Sequence, residues 1–371
     1  MKFSCEKSQL ISAIGISGKV ASSKSSVAAL EGLLLEAQEH LQITGYDLKT
    51  GIQTKVPAEV SVPGKLVLNA RLFGEIIRKL PEDIVEIQVD ENNMATITCG
   101  PSNFNIMGIG AEDYPALPVV DRENSFSVPQ KTMKQMISQT IFAVSDNESR
   151  PIHTGSLFEI EENTLTIVSV DGYRLALRKE KLENQITSTE KSFVVPGNAL
   201  NEVEKISSES DEMIEISVDA KHILFTIGEI IVVSRRLEGE FLNYKQAIPQ
   251  GNKINLTADK RLFMDAVDRV SLMISEKLKT PVRCIFSDGN VELLTNTALG
   301  KARDMFPVTG DGENLEIGFN NRFLLEALKA APASKVNISL GTSVSPCVIS
   351  DAEGSDNFTY LVLPVRLQAG V

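Results

Sequence analysis

The residues that could do chemistry are few and scattered. The three histidines, His40, His153 and His222, are far apart, and none sits in an HExxH or comparable metal-binding spacing. The four cysteines, Cys5, Cys99, Cys284 and Cys347, form no CxxC pair, so neither a zinc knuckle nor a dithiol redox site is encoded. Scattered free thiols fit a reducing cytosol. Residues 15–19 read GISGK but lack the first glycine of a phosphate loop, Gly108-Ile-Gly110 is a lone GxG without dinucleotide spacing, and no GxSxG elbow occurs. Carboxylates are plentiful, but nothing in the sequence pairs two of them across a cleft. Catalysis, a bound metal and a cofactor are therefore not expected.

One stretch does gather suggestive side chains. Residues 168–177, VSVDGYRLAL, alternate Val168 and Val170 before Asp171-Gly172, then Leu175 and Leu177 after it. That is the signature of a hairpin whose turn needs the positive φ that glycine tolerates. Tyr173 and Arg174 then stand beside the turn, where both can project. An ordinary hairpin with a solvated arginine would read the same way. What adds to it is the string YLVLPVRL at residues 360–367, again apolar and basic by turns.

The elements that must position these residues follow a threefold plan. A unit of about 125 residues, the size of a domain rather than of a solenoid repeat, recurs three times. Each copy opens with a strand and a helix, at residues 2–20, 125–144 and 253–275. The helices carry apolar residues on one face: Leu10, Ala13, Ile14 and, weakly, Ser17; Met133, Met136, Ile137 and Thr140; Phe263, Ala266, Val267 and Val270. A meander of alternating strands follows, among them the single run IQTKVPAEV in the first copy. A second strand-plus-helix unit and a second meander close each copy. Its helices carry Phe73, Ile76, Ile77 and Leu80; Leu200, Val203 and Ile206; Phe323, Leu324, Ala327 and Leu328. Antiparallel sheets with helices packed on one face make the fold α+β. Linkers at 119–124 and 249–252 give domains at 1–122, 123–251 and 252–371.

The 371 residues carry a net charge of -12 and no tryptophan, which argues against a uniformly basic nucleic-acid binder. The charge is nonetheless uneven. Helices taken at 5–20, 70–80, 129–144, 197–206, 258–276 and 320–331 hold 13 Lys and Arg against 9 Asp and Glu. They total +4 in a chain of -12, an imbalance that turns the helices toward an anion if they share a surface. The N-terminal residues have no apolar core of signal-peptide length, and the run around residues 230–233 is far too short to span a membrane.

Taken together in order and spacing, the opening MKF strand, the three copies, RPIHTG at 150–155, VDGYRLAL at 170–177, EGEF at 238–241, EIGFN at 316–320 and YLVLPVRL resemble the bacterial DNA sliding clamps, the beta subunits of the DNA polymerase III holoenzyme. The resemblance covers essentially the whole chain. It implies three repeated clamp domains, with antiparallel sheets outside and helices lining a central hole. It implies a cytoplasmic, non-catalytic processivity factor: a head-to-tail homodimeric ring that encircles duplex DNA and slides without sequence specificity. Such a ring tethers the replicative polymerase, the clamp loader and DNA repair proteins through short hydrophobic peptides.

Residue by residue, the resemblance places Lys24, Arg71, Arg78, Asn147 and Arg150 toward DNA, with Asn198 standing where a basic residue is common. It places a peptide groove at His153, Thr154, Gly172, Tyr173, Arg174 and Leu175, with Leu242, Gln246 and Ala247, and with Leu278, Asn320, Phe323, Val344, Pro346, Leu361, Leu363, Pro364, Val365 and Arg366. Leu175, Leu363 and Val365 offer apolar walls there, while Arg174 and Arg366 can bind peptide carbonyls or carboxylates. The ring interface falls at Phe104 and Ile106 against Leu272 and Met273. His153 replaces a usual leucine, LNY at 242–244 replaces the usual PDY, Gln246 replaces a common basic residue, and the tail runs on as QAGV. Two other readings remain open from the residues alone: a DNA-independent protein-interaction scaffold, and an enzyme with its site at a domain junction.

Overall fold

The computed structural model describes residues 1–22, 25–183, 191–275 and 280–367. Seven α-helices are present among them: α1 (Lys7–Ser17), α2 (Ala70–Lys79), α3 (Gln130–Ser138), α4 (Gly197–Ile206), α5 (Tyr244–Ala247), α6 (Lys260–Ser271) and α7 (Asn321–Ala330). All three copies show the strand–helix–meander plan twice over. The chain divides into two compact units, one holding Met1–Met133 and Asn201–Arg236, the other Lys134–Gln185, Lys191–Leu200 and Leu237–Val371. The division cuts through the middle copy, because strands pair across the copy boundaries.

In the first unit, an eight-stranded antiparallel sheet runs Ser125–Pro129, Met213–Val218, His222–Ile227, Ile230–Arg235, Thr50–Val56, Leu41–Tyr46, Gly32–Ala37 and Gly64–Asn69. Copies one and two meet where Val232 pairs with Ile52. A five-stranded sheet runs Glu59–Val62, Lys2–Glu6, Ile84–Val89, Met94–Cys99 and Ser102–Met107. The expected single strand IQTKVPAEV is thus two strands in different sheets. They part at Pro57, which has no N–H to continue a ladder. Helices α1 and α2 pack together and bury Leu10, Ala13, Ile14, Phe73, Ile76 and Ile77 against Leu33, Leu35, Leu66, Leu68, Val85 and Ile97. Each buried Leu, Ile, Val or Phe among these contributes about 1.5–3 kcal/mol. Ser17, the weak member of the α1 face, is buried all the same. Its hydroxyl donates to the Ile43 carbonyl at 3.0 Å and lies 3.1 Å from Thr54 Oγ1.

The second unit is built on one twelve-stranded antiparallel sheet. Its order is Ser192–Pro196, Gly155–Glu161, Thr164–Val170, Arg174–Lys181, Phe358–Val362, Cys347–Asp351, Lys335–Leu340, Ile254–Asp259, Gly300–Asp311, Asn290–Thr297, Val282–Ser287 and Leu315–Phe319. Copies two and three meet where Leu175 pairs with Leu361. Gly300–Asp311 changes partner along its length, from Asn290–Thr297 to Ile254–Asp259. Gly310 permits the change: its φ is +117°, and a Cβ there would lie 2.2 Å from the Asn255 carbonyl oxygen. Helices α6 and α7 cover this part of the sheet with Phe263, Ala266, Val267, Val270, Leu324, Ala327 and Leu328. The helix expected over 129–144 stops at Ser138. Thr140 Oγ1 donates back to the Met136 and Ile137 carbonyls at 2.8 and 3.2 Å, and a single 3₁₀ turn, Ile141–Ala143, follows.

Candidate functional site

The turn singled out in the sequence differs from expectation in how it presents its side chains. Asp171 Oδ1 accepts from the Tyr173 and Arg174 amides at 2.8 and 3.0 Å, and the ladder runs up to Val170 opposite Leu175. The corners are Gly172 and Tyr173, and Gly172 alone has a positive φ, +91°. The demand for glycine therefore falls on the first corner residue, the II′ arrangement, rather than on an Asp-Gly pair. Tyr173 does project: it is 65% exposed and stacks on Phe323 with ring centroids 6.2 Å apart.

Arg174 does not project, which corrects the expectation that it stands out beside the turn as Tyr173 does. It is buried. Its Nε donates to Asp171 Oδ2 at 2.8 Å and its Nη1 donates to Glu326 Oε2 of α7. Its guanidinium carbon lies 4.5 Å from the Phe323 ring centroid and 5.5 Å from that of Phe142. An arginine taken out of water needs this degree of pairing, so its donors hold the hairpin to α7.

Beside the turn, strand register builds an apolar row. Val170 pairs with Leu175, Leu175 with Leu361 and Leu361 with Val348, across four adjacent strands. With Leu157, Val168, Leu177, Val194 and Tyr244 they form one buried cluster, onto which Ile152, Leu237, Phe241 and Ile248 pack. Its surroundings expose Leu242 (45%), Val344 (76%), Leu363 (38%) and Val365 (37%). Pro346 and Pro364 are half-buried and Arg366 is exposed. The tail is pinned: the Leu363 amide donates to the Tyr173 carbonyl at 2.9 Å, and the Val365 amide to that of Gly318 at 2.7 Å. Gly318 makes the approach possible, since a Cβ there would sit 2.7 Å from the Val365 carbonyl oxygen. Val170 and Val348 were not foreseen as floor; only their register with Leu175 and Leu361 reveals them.

The remaining groove positions serve partly as framework. His153 lies half-buried in the 3₁₀ turn Pro151–Thr154, its ring edge-on to Phe241 at 5.7 Å. Burial first, and then the Arg150 guanidinium, holds its imidazole below the usual range, against an upward pull from Asp171, so at neutral pH the ring is uncharged. Thr154 Oγ1 donates to the Pro151 carbonyl at 2.7 Å. Gln246 is exposed and Ala247 half-buried in α5, a one-turn helix that was not expected. Tyr244 of the same turn is tied down, donating to Glu159 Oε2 at 2.5 Å. Asn320 caps α7, accepting from the Arg322 amide at 3.0 Å. Leu278 and the QAGV extension lie outside the described residues.

Of the positions assigned to DNA, Arg71 and Arg78 are exposed, two turns apart on α2. A surface cleft of about 520 Å³ between α1 and α2 is lined by both, together with Lys19, Gly15, Gly18 and Gly74. In the second unit, Asn147 and Arg150 are exposed and share one turn, in which the Arg150 amide donates to the Asn147 carbonyl at 3.2 Å. Asn147 Oδ1 already accepts from the Ser149 amide at 3.0 Å, which leaves its amide hydrogens to donate outward. Asn198 is exposed at the start of α4, and Lys24 lies outside the described residues.

Phe104 (39% exposed) and half-buried Ile106 lie on Ser102–Met107, the outer strand of the five-stranded sheet. Leu272 is 75% exposed at the end of α6, and Met273 beside it is half-buried. Sequence reasoning missed their neighbour. Among the described residues, 300–307 pair on one side only, with Asn290–Thr297, and carry exposed Met305, while Leu299 is exposed just before the strand begins. The reactive inventory stays small. The four thiols are buried, burial pushes Cys5 and Cys347 up to about 12, and they are therefore protonated at neutral pH. No three His, Cys, Asp or Glu among the described residues are grouped to hold a metal ion, and no helix there is long and apolar enough to cross a membrane.

Threefold copies, edge-to-edge sheets and an apolar row at the junction of copies two and three define a sliding-clamp architecture. Models of the N-terminal, central and C-terminal domains of the DNA polymerase III beta subunit match residues 1–118, 127–243 and 245–366. The beta sliding clamps of Halalkalibacterium halodurans and Staphylococcus aureus are 34% and 33% identical, over 99% of this chain and 100% and 99% of theirs. The solved DNA polymerase sliding clamp from Bacillus subtilis is 30% identical and superposes with a TM-score of 0.95 over 99% of this chain and 100% of its own. The chain belongs to the DNA polymerase III beta subunit family. It is a processivity factor of DNA replication and not an enzyme.

Proposed function

We propose that two copies of this chain close head to tail into a ring around duplex DNA and carry partner proteins by a peptide groove at the junction of copies two and three. The domains of each copy of the chain would run 1–122, 123–251 and 252–371, and the ring would work in the cytoplasm. Duplex DNA presents about one negative charge per 1.7 Å of axis, so exposed Arg71, Arg78 and Arg150, with Lys24, attract it without reading bases, and exposed Asn147 can donate to a phosphate oxygen. The ring would close by edge pairing between Ser102–Met107 of one protomer and the strand at 300–307 of its partner, with Phe104 and Ile106 meeting Leu272 and Met273. Uncovered apolar edges of this kind are covered naturally by another strand.

The observation that carries the groove is the row Val170, Leu175, Leu361 and Val348, with exposed Tyr173, Leu242, Val344, Leu363 and Val365 around it. It offers apolar sockets for a short hydrophobic segment, and backbone and Arg366 donors at the rim. The partners would be the replicative polymerase, the clamp loader and repair proteins. The test uses a fluorescent hydrophobic peptide from the host's own replicative polymerase. Leu242→Ala with Leu363→Ala alters exposed side chains only, so the variant should fold. Loss of tenfold or more in peptide affinity is expected, and unchanged affinity in the folded variant overturns the groove.

A further inference from the structure

Three helices repeat one small pattern. In α2, α6 and α7 a side-chain cap, Asn69, Asp259 or Asn320, accepts from a first-turn amide. The second helical residue is in each case an arginine: Arg71, Arg261 or Arg322. Four residues on stands a carboxylate: Glu75, Asp265 or Glu326. The pairs close at 3.1, 3.9 and 2.8 Å, with arginine side chains 88%, 89% and 71% exposed. The same place in α1, α3 and α4 is held by Ser8, Lys131 and Asn198.

The pattern is poor helix design. The N-terminal end of a helix carries partial positive charge, so a cation in the first turn is disfavoured there. Arginine four residues before an acid is also the weaker order of an i,i+4 pair. A cation serving its helix would stand in the last turn, as Lys79 and Lys329 do. Local rules broken three times in the same way point to a role outside the helix.

We infer that Arg71, Arg261 and Arg322 are phosphate contacts, each deliberately weakened by its own helix's carboxylate. This rests on the proposal that helices face duplex DNA, in which only Arg71 of the three was placed there. An approaching phosphate exchanges one anion for another on the guanidinium, so the net gain at each arginine is small. The pairing forms and breaks easily, and the carboxylate recovers the arginine when the phosphate moves on. A ring retained by closure rather than by affinity would gain mobility from such exchanges.

The test measures binding of the full-length protein to a fluorescent duplex of random sequence across a salt series. Arg71→Ala/Arg261→Ala/Arg322→Ala should weaken binding and lower the log–log salt slope by roughly 1–3, at about 0.9 for each phosphate no longer neutralised. Glu75→Gln/Asp265→Asn should tighten binding roughly three- to tenfold at low salt and steepen the slope. Glu326 is left intact because it also holds Arg174. Glu59→Gln/Glu353→Gln removes the same charge from exposed positions outside the helices and should change affinity far less. Equal tightening by that control, or none by Glu75→Gln/Asp265→Asn, overturns the inference while leaving the DNA-facing reading in place. Unchanged binding by the triple arginine variant overturns it too. Duplex binding that ignores salt in the unaltered protein sinks the DNA-facing reading beneath it.

Discussion

Glu326 holds two arginines at once, Arg174 from the hairpin and Arg322 from its own helix, and its ionisation reports on both. Burial pushes its carboxyl up, but the hydrogen bonds from Arg322 and Arg174 more than offset this and leave it below the ordinary 4.5. A depressed carboxylate stabilises the fold fully above its unfolded value and loses that contribution as pH falls through the lower folded value. Urea denaturation followed from pH 7 downward should therefore show a decline beginning below about pH 5. Glu326→Gln should cost about 2 kcal/mol at pH 7 and flatten that acid limb, since a buried guanidinium loses one of its two anions. An acid limb as steep in the variant as in the parent would show that Glu326 contributes nothing to it. His153 illustrates the opposite adjustment. A titratable ring in an apolar wall is tolerated because burial and Arg150 keep it neutral at ordinary pH.

At the scale of elements, the sequence carried the helices and their buried faces because a 3.6-residue periodicity needs no partner to be visible. Met133, Met136 and Ile137, or Phe263, Ala266 and Val267, are buried as that spacing required. Pairing between distant strands has no such local signal. The strings at 170–177 and 360–367 could be singled out, but their register, Leu175 on Leu361, depends on residues about 180 apart. Nor could alternation tell that Arg174 is buried, because the carboxylate that neutralises it, Glu326, comes from a helix 152 positions away. Pro57 and Thr140 did carry their own breaks, and treating each as part of a continuing run missed a chemistry present in one residue. Gly318 tests the tail as an element. Gly318→Ala places a methyl against the Val365 carbonyl and the Leu367 side chain. A loss of about 1–3 kcal/mol in stability and weaker peptide binding are expected, measured by thermal melting and by peptide titration. A melt and affinity equal to the parent's would show that the tail is not held where Val365 donates to Gly318.

The whole molecule is expected to depend on its edges. Small-angle X-ray scattering should report twice the chain mass of 40.5 kDa and a hollow profile. Phe104→Lys with Met107→Lys puts charge on an outer strand, at side chains already 39% and 62% exposed, and should halve the particle mass without unfolding it. A particle of unchanged mass would remove that strand from the interface. The sheet of the second unit has one more consequence, for how the chain is made. Phe358–Val362 sits between Arg174–Lys181 and Cys347–Asp351, in the interior of twelve strands. During translation, Arg174–Lys181 leaves the ribosome about 180 residues ahead of its neighbour. At about 5–20 residues per second it waits roughly 10–40 s with its hydrogen-bonding side open. Through that interval the nascent chain offers a bare, Leu-rich strand to any other strand nearby. Chaperone demand and off-pathway pairing during synthesis should therefore concentrate on the second unit, and slowing translation between residues 182 and 357 should lower the soluble yield.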